Sequence, residues 1–285
     1  MRLRDGLSDL RLALRESSGL RFGLWWQVAL LALSAGALPF DRRHVLGLNP
    51  WVKPIKFELS VMVFLATMAL ILRALGATGR WPRTRAWIGW GLGLCMVVEN
   101  SIIALQSLRG VRSHMNVTTL TDGLLFGAMG LFIVLNTVLV GWVFALWLMT
   151  QKTVRAAVAW GVGWGLAFQL AAAAEGVRMV MNSGHVVGPI DAAAGHAMSQ
   201  HIALDGGPGL PFLNWSTMHG DLRVAHFFAL HALQLLPVVA LLLAETGLRE
   251  RVQVALVWVV AGVYAAGVWW TFAQAMSGVP LVAVR

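Results

Sequence analysis

The feature that most constrains this chain is the recurrence of apolar stretches long enough to cross a lipid bilayer. A helix of about 20 predominantly apolar residues spans a hydrocarbon core. Seven such stretches occur, at 22–40, 56–75, 86–108, 120–149, 154–175, 222–245 and 251–276. Inside a membrane every backbone amide and carbonyl must be paired, which leaves helices or closed barrels. The apolar runs are too continuous for a barrel, whose strands alternate over about 10 residues. The expected fold is therefore all-α, a polytopic transmembrane bundle of seven spans. Composition agrees: 58% of residues are hydrophobic and 12% charged, against about 25% charged in a soluble domain. A soluble globule and a disordered chain are excluded.

Charge sets the expected direction. If the N-terminus is cytoplasmic, thirteen basic residues fall on that side and nine on the other, which follows the positive-inside bias. Residues 1–21 form an amphipathic cytoplasmic leader, with Leu3, Leu7, Leu10 and Leu14 at helical spacing among five arginines. No small-x-small cleavage site follows it, so it does not read as a signal peptide. The spans then occupy 22–276, with a long outer loop at 176–221 and a tail at 277–285. A net charge of +9 would point to nucleic acid in a soluble protein. Here the cations sit in short loops, so the expected partner is the bilayer, with no nucleic acid.

Smaller features read as structural. Cys95 is the single cysteine, so no intrachain disulfide can form, and a thiolate metal site would need several. Glycines in the third, fourth and fifth spans, including Gly93, Gly127 and Gly161, are expected to let helices approach closely. The fourteen tryptophans read as interface anchors.

Polar groups collect towards one side. On this topology all eight histidines lie outside the cytoplasm or in the membrane near that face. An ionisable residue in a span marks a functional hypothesis. Glu58, Glu99, Glu175, His219, His226 and His231 are the candidate metal ligands, an oxygen and nitrogen set suited to iron, manganese or zinc. His226 and His231 are five residues apart, about 140° around a helix, so they do not form a same-face pair. The loop histidines His185, His196 and His201 are weaker candidates. Asp221 is positioned to cap the sixth span. Gly110-Val111-Arg112-x-x-Met115-Asn116 echoes Gly176-Val177-Arg178-x-x-Met181-Asn182, a sign of two equivalent half-sites or of chance.

Three functions follow. The first is a metal- or haem-dependent oxidoreductase or hydrolase. Its cofactor would be iron, zinc or a noncovalent haem b held by His226 or His231 with His114, and its ligand a small molecule, a quinone or a lipid. HExxH and the repeated HxxxH and HxxHH clusters of histidine-rich hydroxylases are missing. The second is a transporter or receptor for a small anionic ligand or lipid headgroup, with Lys53, Lys56, Arg109, Arg112, His114, Arg178, Asp221 and Arg223 at the outer mouth. Arginine forks suit carboxylate and phosphate. The last span contains no lysine, which excludes a retinal Schiff base there. The third is a structural or assembly protein. The His219-Gly220-Asp221-Leu222-Arg223 segment before a histidine-bearing helix loosely resembles bacterial inner-membrane proteins. That resemblance implies a multi-pass inner (plasma) membrane location and no particular activity.

Overall fold

The computed structural model describes residues 6–150, 154–182, 184–188 and 207–283. Seven of its helices are long and apolar enough to cross a membrane. A short helix α1 (Gly6–Glu16) precedes them. It is followed by α2 (Ser18–Ala37), α3 (Val52–Gly76), α4 (Pro82–Arg109) and α5 (Leu120–Leu148). Then come α6 (Ala156–Met181), α7 (Leu222–Ala244) and α8 (Glu250–Met276). Two short strands, β1 (Val186–Val187) and β2 (Gly220–Asp221), pair antiparallel in the α6–α7 connection, with Val186 opposite Asp221.

Local chemistry sets the helix ends. Pro82 opens α4 at its first turn, where a missing amide proton costs nothing. Gly110 closes α4 in the left-handed region (φ 72°), and Val111 N bonds back to Gln106 O at 3.0 Å, as a Schellman ending requires. Thr119 Oγ1 accepts from Asp122 N to start α5. Asp221 Oδ1 accepts from Arg223 N to start α7, the cap expected of it.

The expected spans all form, with two differences of consequence. α3 begins at Val52 instead of 56 and takes Pro54 into its first turn, a position that tolerates proline. This places Lys53 and Lys56 on the helix. α6 runs to Met181, so Glu175, Gly176 and Arg178 are helical and the outer connection is shorter than 176–221. In the leader α1, Leu10 and Leu14 are half-buried and Leu7 is exposed, while Ala13 is buried; Leu3 lies outside the described residues.

α2 packs on α3 and α4, α5 joins α4 to α6, and α6 with α7 and α8 forms the other side of the bundle. Close approach depends on glycine at two crossings. A Cβ on Gly93 would lie 2.3 Å from Gly19 O, and one on Gly165 would lie 2.9 Å from Leu233 Cα. Gly123, Gly127 and Gly130 on α5 have no such neighbour within 4 Å among the described residues, so the expected packing role is not met there. Leu20, Leu65, Met68, Leu72, Leu75, Ile88 and Leu92 are buried together in one half of the α2–α4 core. The polar interior lies in the other half, at the end where α4 finishes and α3, α5 and α7 begin.

Candidate functional site

The loop-rich end of the bundle gathers the polar groups, and His114 is at their centre. Glu99 lies ten residues before the end of α4, about 15 Å of helix, and is 3% exposed. α4 stops at Gly110, and the following loop folds back over the helix. His114 Nε2 thereby comes to 3.5 Å from Glu99 Oε1. The loop holds itself in place: Asn116 Nδ2 donates to Arg112 O at 3.1 Å, and Thr118 Oγ1 donates to Asn116 Oδ1 at 2.7 Å.

Lys53, in the first turn of α3, supplies the third member. Its Nζ is 3.2 Å from His114 Nδ1, and Ser113 Oγ is 3.0 Å from the same nitrogen. An ammonium has only donors, so Nδ1 accepts and the ring proton resides on Nε2, facing Glu99. At 3.5 Å this last contact is electrostatic; a hydrogen bond would be shorter. Phe57 and Phe126 flank the imidazole, with centroids 5.8 and 6.5 Å from its own. Burial, then the Lys53 ammonium and His185 and His226, hold the His114 imidazole well below the usual histidine range. The ring is neutral near pH 7. Glu99 Oε2 is buried without a hydrogen-bond partner among the described residues.

Two further imidazoles lie within electrostatic reach of His114 and of each other. His226 stands one turn into α7, with Nδ1 3.0 Å from Ala172 O on α6. His185 precedes β1, and its carbonyl accepts from Leu222 N at 3.0 Å, so the short β1–β2 ladder fixes its backbone beside the start of α7. Sequence reasoning ranked His185 below the others. Its signal is weak: a β-branched pair, Val186-Val187, between Gly184 and Gly188. Nothing local reveals that this pair meets Gly220–Asp221.

The remaining candidate metal ligands go elsewhere. Glu58 is fully buried and accepts from Ser34 Oγ at 2.8 Å, leaving Oε2 without a partner among the described residues. Glu175 Oε2 is likewise buried and unpartnered among the described residues. His231 Nδ1 lies 3.3 Å from Gln234 Oε1, and its ring packs on Phe227 with centroids 4.3 Å apart. His219 engages Ser216 Oγ through its backbone amide at 3.0 Å. Among the described residues no three His, Cys, Asp or Glu side chains are arranged to hold a metal ion. His196 and His201 lie outside the described residues.

The cations expected at the mouth are mostly committed within the protein. Arg109 donates to Asp122 Oδ1 at 2.5 Å, beside Gln106, whose Nε2 donates to the same oxygen at 2.9 Å. Arg223 binds Asp221 at 2.9 Å through Nε and reaches Asn214 O. Lys56 donates to Leu213 O at 3.1 Å and lies over the Phe212 ring at 5.7 Å. Arg112 and Arg178 are half-buried at the same end. The internal echo is not an equivalence of structure: Gly110 terminates α4, whereas Gly176 lies inside α6.

Sequence reasoning also missed a buried amide chain across α2 and α4. Asn100 Nδ2 donates to Gln27 Oε1 at 2.6 Å, and Gln27 Nε2 donates to Met96 O at 3.2 Å. Backbone strain marks the same end. Of the five non-glycine residues with positive φ among the described residues, Leu46, Met115, Phe212 and Asn214 lie here and Trp81 lies at the opposite end, before α4, and Asn214 Nδ2 donates to Leu46 O at 3.1 Å. Such conformations cost about 1–3 kcal/mol each and collect at functional sites. No protein-family model matches the chain, and neither a curated protein nor a solved structure matches it.

Proposed function

We propose that this multi-pass membrane protein binds a small ligand at its loop-rich end and that Glu99 and His114 act there as a proton-exchanging pair. Lys53 is the positioning residue that holds the imidazole tautomer. The observation that carries this reading is Glu99 itself: one carboxylate oxygen faces His114 Nε2 at 3.5 Å, and the other is buried with no partner among the described residues. An unsatisfied buried acceptor beside a neutral imidazole is costly for folding alone and suits a site that receives a donor from outside.

The end concerned is taken as the non-cytoplasmic one, following the thirteen-to-nine bias of basic residues, and the membrane as a bacterial inner membrane, following the resemblance of the His219–Arg223 segment. A one-sided site is favoured over a translocation path, because the apolar layer from Leu20 to Leu92 lies between it and the opposite end. The mouth is a poorer anion receptor than its cation count implies, since Arg109 and Arg223 already bind Asp122 and Asp221. An organic ligand is favoured over iron, zinc or haem b because the Lys53 ammonium holds His114 Nδ1 as an acceptor, which leaves the ring proton on Nε2, the nitrogen that faces Glu99 and that a metal there would require.

A membrane-permeant carbodiimide tests the acid. A protonated carboxyl group gives its proton to the carbodiimide nitrogen and adds through oxygen to its central carbon, and the O-acylisourea rearranges to an N-acylurea detectable on the peptide by mass spectrometry. Glu99 is expected to carry the adduct, and the pH of half-maximal labelling is expected to shift in His114→Gln. An unlabelled Glu99 at every pH, or an identical profile in the variant, overturns the reading.

A further inference from the structure

The outward side of α7 carries two polar groups that are bonded only to each other. Phe227, His231, Gln234, Leu235, Val238 and Leu242 fall within an arc of about 100° on this helix. The opposite side is committed to the bundle, where Ala232 and Leu236 pack with Phe168 of α6 and Ala261 of α8. Phe227, Leu235, Val238 and Leu242 are 39–53% exposed, and His231 and Gln234 are half-buried among them. His231 stands nine residues into α7 and Gln234 twelve, about 14 and 18 Å along its axis. That is near the middle of a hydrocarbon layer about 30 Å thick.

His231 Nδ1 is 3.3 Å from Gln234 Oε1, and among the described residues neither side chain makes a second hydrogen bond. An uncharged imidazole has one N–H and one lone pair, and a primary amide has groups of both kinds. With Nδ1 donating to the amide oxygen, His231 Nε2 keeps a lone pair and the amide nitrogen keeps its protons. Turning the amide over makes Nδ1 the acceptor; Nε2 then keeps a proton and the amide oxygen keeps lone pairs. Either arrangement leaves one donor and one acceptor on the same face.

Lipid tails can fill neither. Polar side chains within a span face protein or water as a rule, and Gln and His join helices by bonding across them. A two-fold axis sets one patch against its own copy, which brings each unfilled donor opposite an unfilled acceptor. The positions 227, 231, 234 and 238 also alternate by four and three, the spacing of a helix–helix seam. We propose that this face of α7 is the interface of a homodimer, in which Gln234 of one protomer hydrogen-bonds to the partner's His231 and the reverse. Phe227, Val238 and Leu242 supply the apolar contact on either side of these bonds.

The test uses the full chain on a Cys95→Ser background, reconstituted in phosphatidylcholine–phosphatidylglycerol vesicles and oxidised with copper phenanthroline. Val238→Cys is expected to form an intermolecular disulfide. Leu131→Cys on α5 and Val263→Cys on α8 are expected to stay unlinked, although the native side chains are 57% and 70% exposed. Fluorescently labelled copies, counted by single-molecule photobleaching over a dilution series in the same lipid, read the association constant. Gln234→Leu and His231→Phe each remove two reciprocal bonds per dimer, and each is expected to lower that constant at least about fivefold. A chain that is monomeric at every dilution, a disulfide at 131 or 263 in place of 238, or a smaller change in either variant overturns the proposal. A monomer that retains a stoichiometric lipid-soluble molecule overturns it as well, and gives the face to a small ligand. The disulfide pattern decides the matter even where a replacement at 231 or 234 fails to fold.

Discussion

Lys53 Nζ sits 3.2 Å from His114 Nδ1 across 61 positions of sequence. The contact joins the first turn of α3 to the loop between α4 and α5, and it fixes which ring nitrogen keeps a proton. Lys53→Met removes both the donor and a positive charge. It is expected to destabilise the protein by about 1–2 kcal/mol, to release the ring from a single tautomer, and to raise the pH at which His114 titrates. Nitrogen-15 NMR of labelled histidine reads the tautomer, and melting temperature reads the stability. An unchanged Nε2–H tautomer with unchanged titration would leave Lys53 without a positioning role.

The pH dependence follows from His114 being held below the usual histidine range by burial. An unfolded histidine takes up a proton as pH falls through about 6.5. The folded imidazole refuses it until lower pH, so the unfolded state binds more protons in that interval and stability falls as pH falls. Above about pH 7 neither state is protonated, and this residue adds no slope. Melting temperature measured from about pH 8 down to about pH 5 is expected to drop less steeply in His114→Gln than in the unsubstituted chain. Parallel curves would place the acid sensitivity elsewhere.

Gly220 tests the β1–β2 pairing beside His185. A Cβ there would lie 1.9 Å from Ala275 O, a backbone atom of α8 that cannot rotate away. Gly220→Ala is expected to cost about 1–3 kcal/mol through overpacking and to displace β2 from β1. Gly127→Ala is the control, because its Cβ meets nothing within 4 Å. It is expected to stay within about 0.5 kcal/mol. Thermal unfolding of the two variants compares the costs, and equal effects would show that the close approach at Gly220 is not limiting.

The spans were legible because length and apolar continuity are local properties, and a span satisfies its own backbone. Lys53, Glu99, His114 and His226 were legible as isolated polar groups towards one side of the membrane. Their pairing was not. Arg109 chooses Asp122, Glu58 chooses Ser34 and His231 chooses Gln234, choices made by helix rotation that sequence spacing alone leaves open. Gly93 and Gly127 look alike in sequence, yet only the first has a helix against it. The contribution of His185 depends on a two-residue pairing between distant segments, too short to leave a periodic signal.

The common placement of the polar groups makes a sidedness prediction. Ser113 follows α4 and Met218 precedes α7, and both lie at the loop-rich end; Thr78 follows α3 and Gly247 follows α7 at the other end. On a Cys95→Ser background, single cysteines at 113 and 218 are expected to react with a membrane-impermeant maleimide from the non-cytoplasmic side. Cysteines at 78 and 247 are expected to react from inverted vesicles alone. Met218 is the better outer reporter, being 55% exposed, whereas Ser113 is 4% exposed and is read after mild detergent opening. Reaction at 218 and 247 from one side would break the alternation of seven spans. Reaction of 78 and 247 from the non-cytoplasmic side, with 218 protected, would keep the bundle and invert it. Glu99 and His114 would then lie towards the cytoplasm.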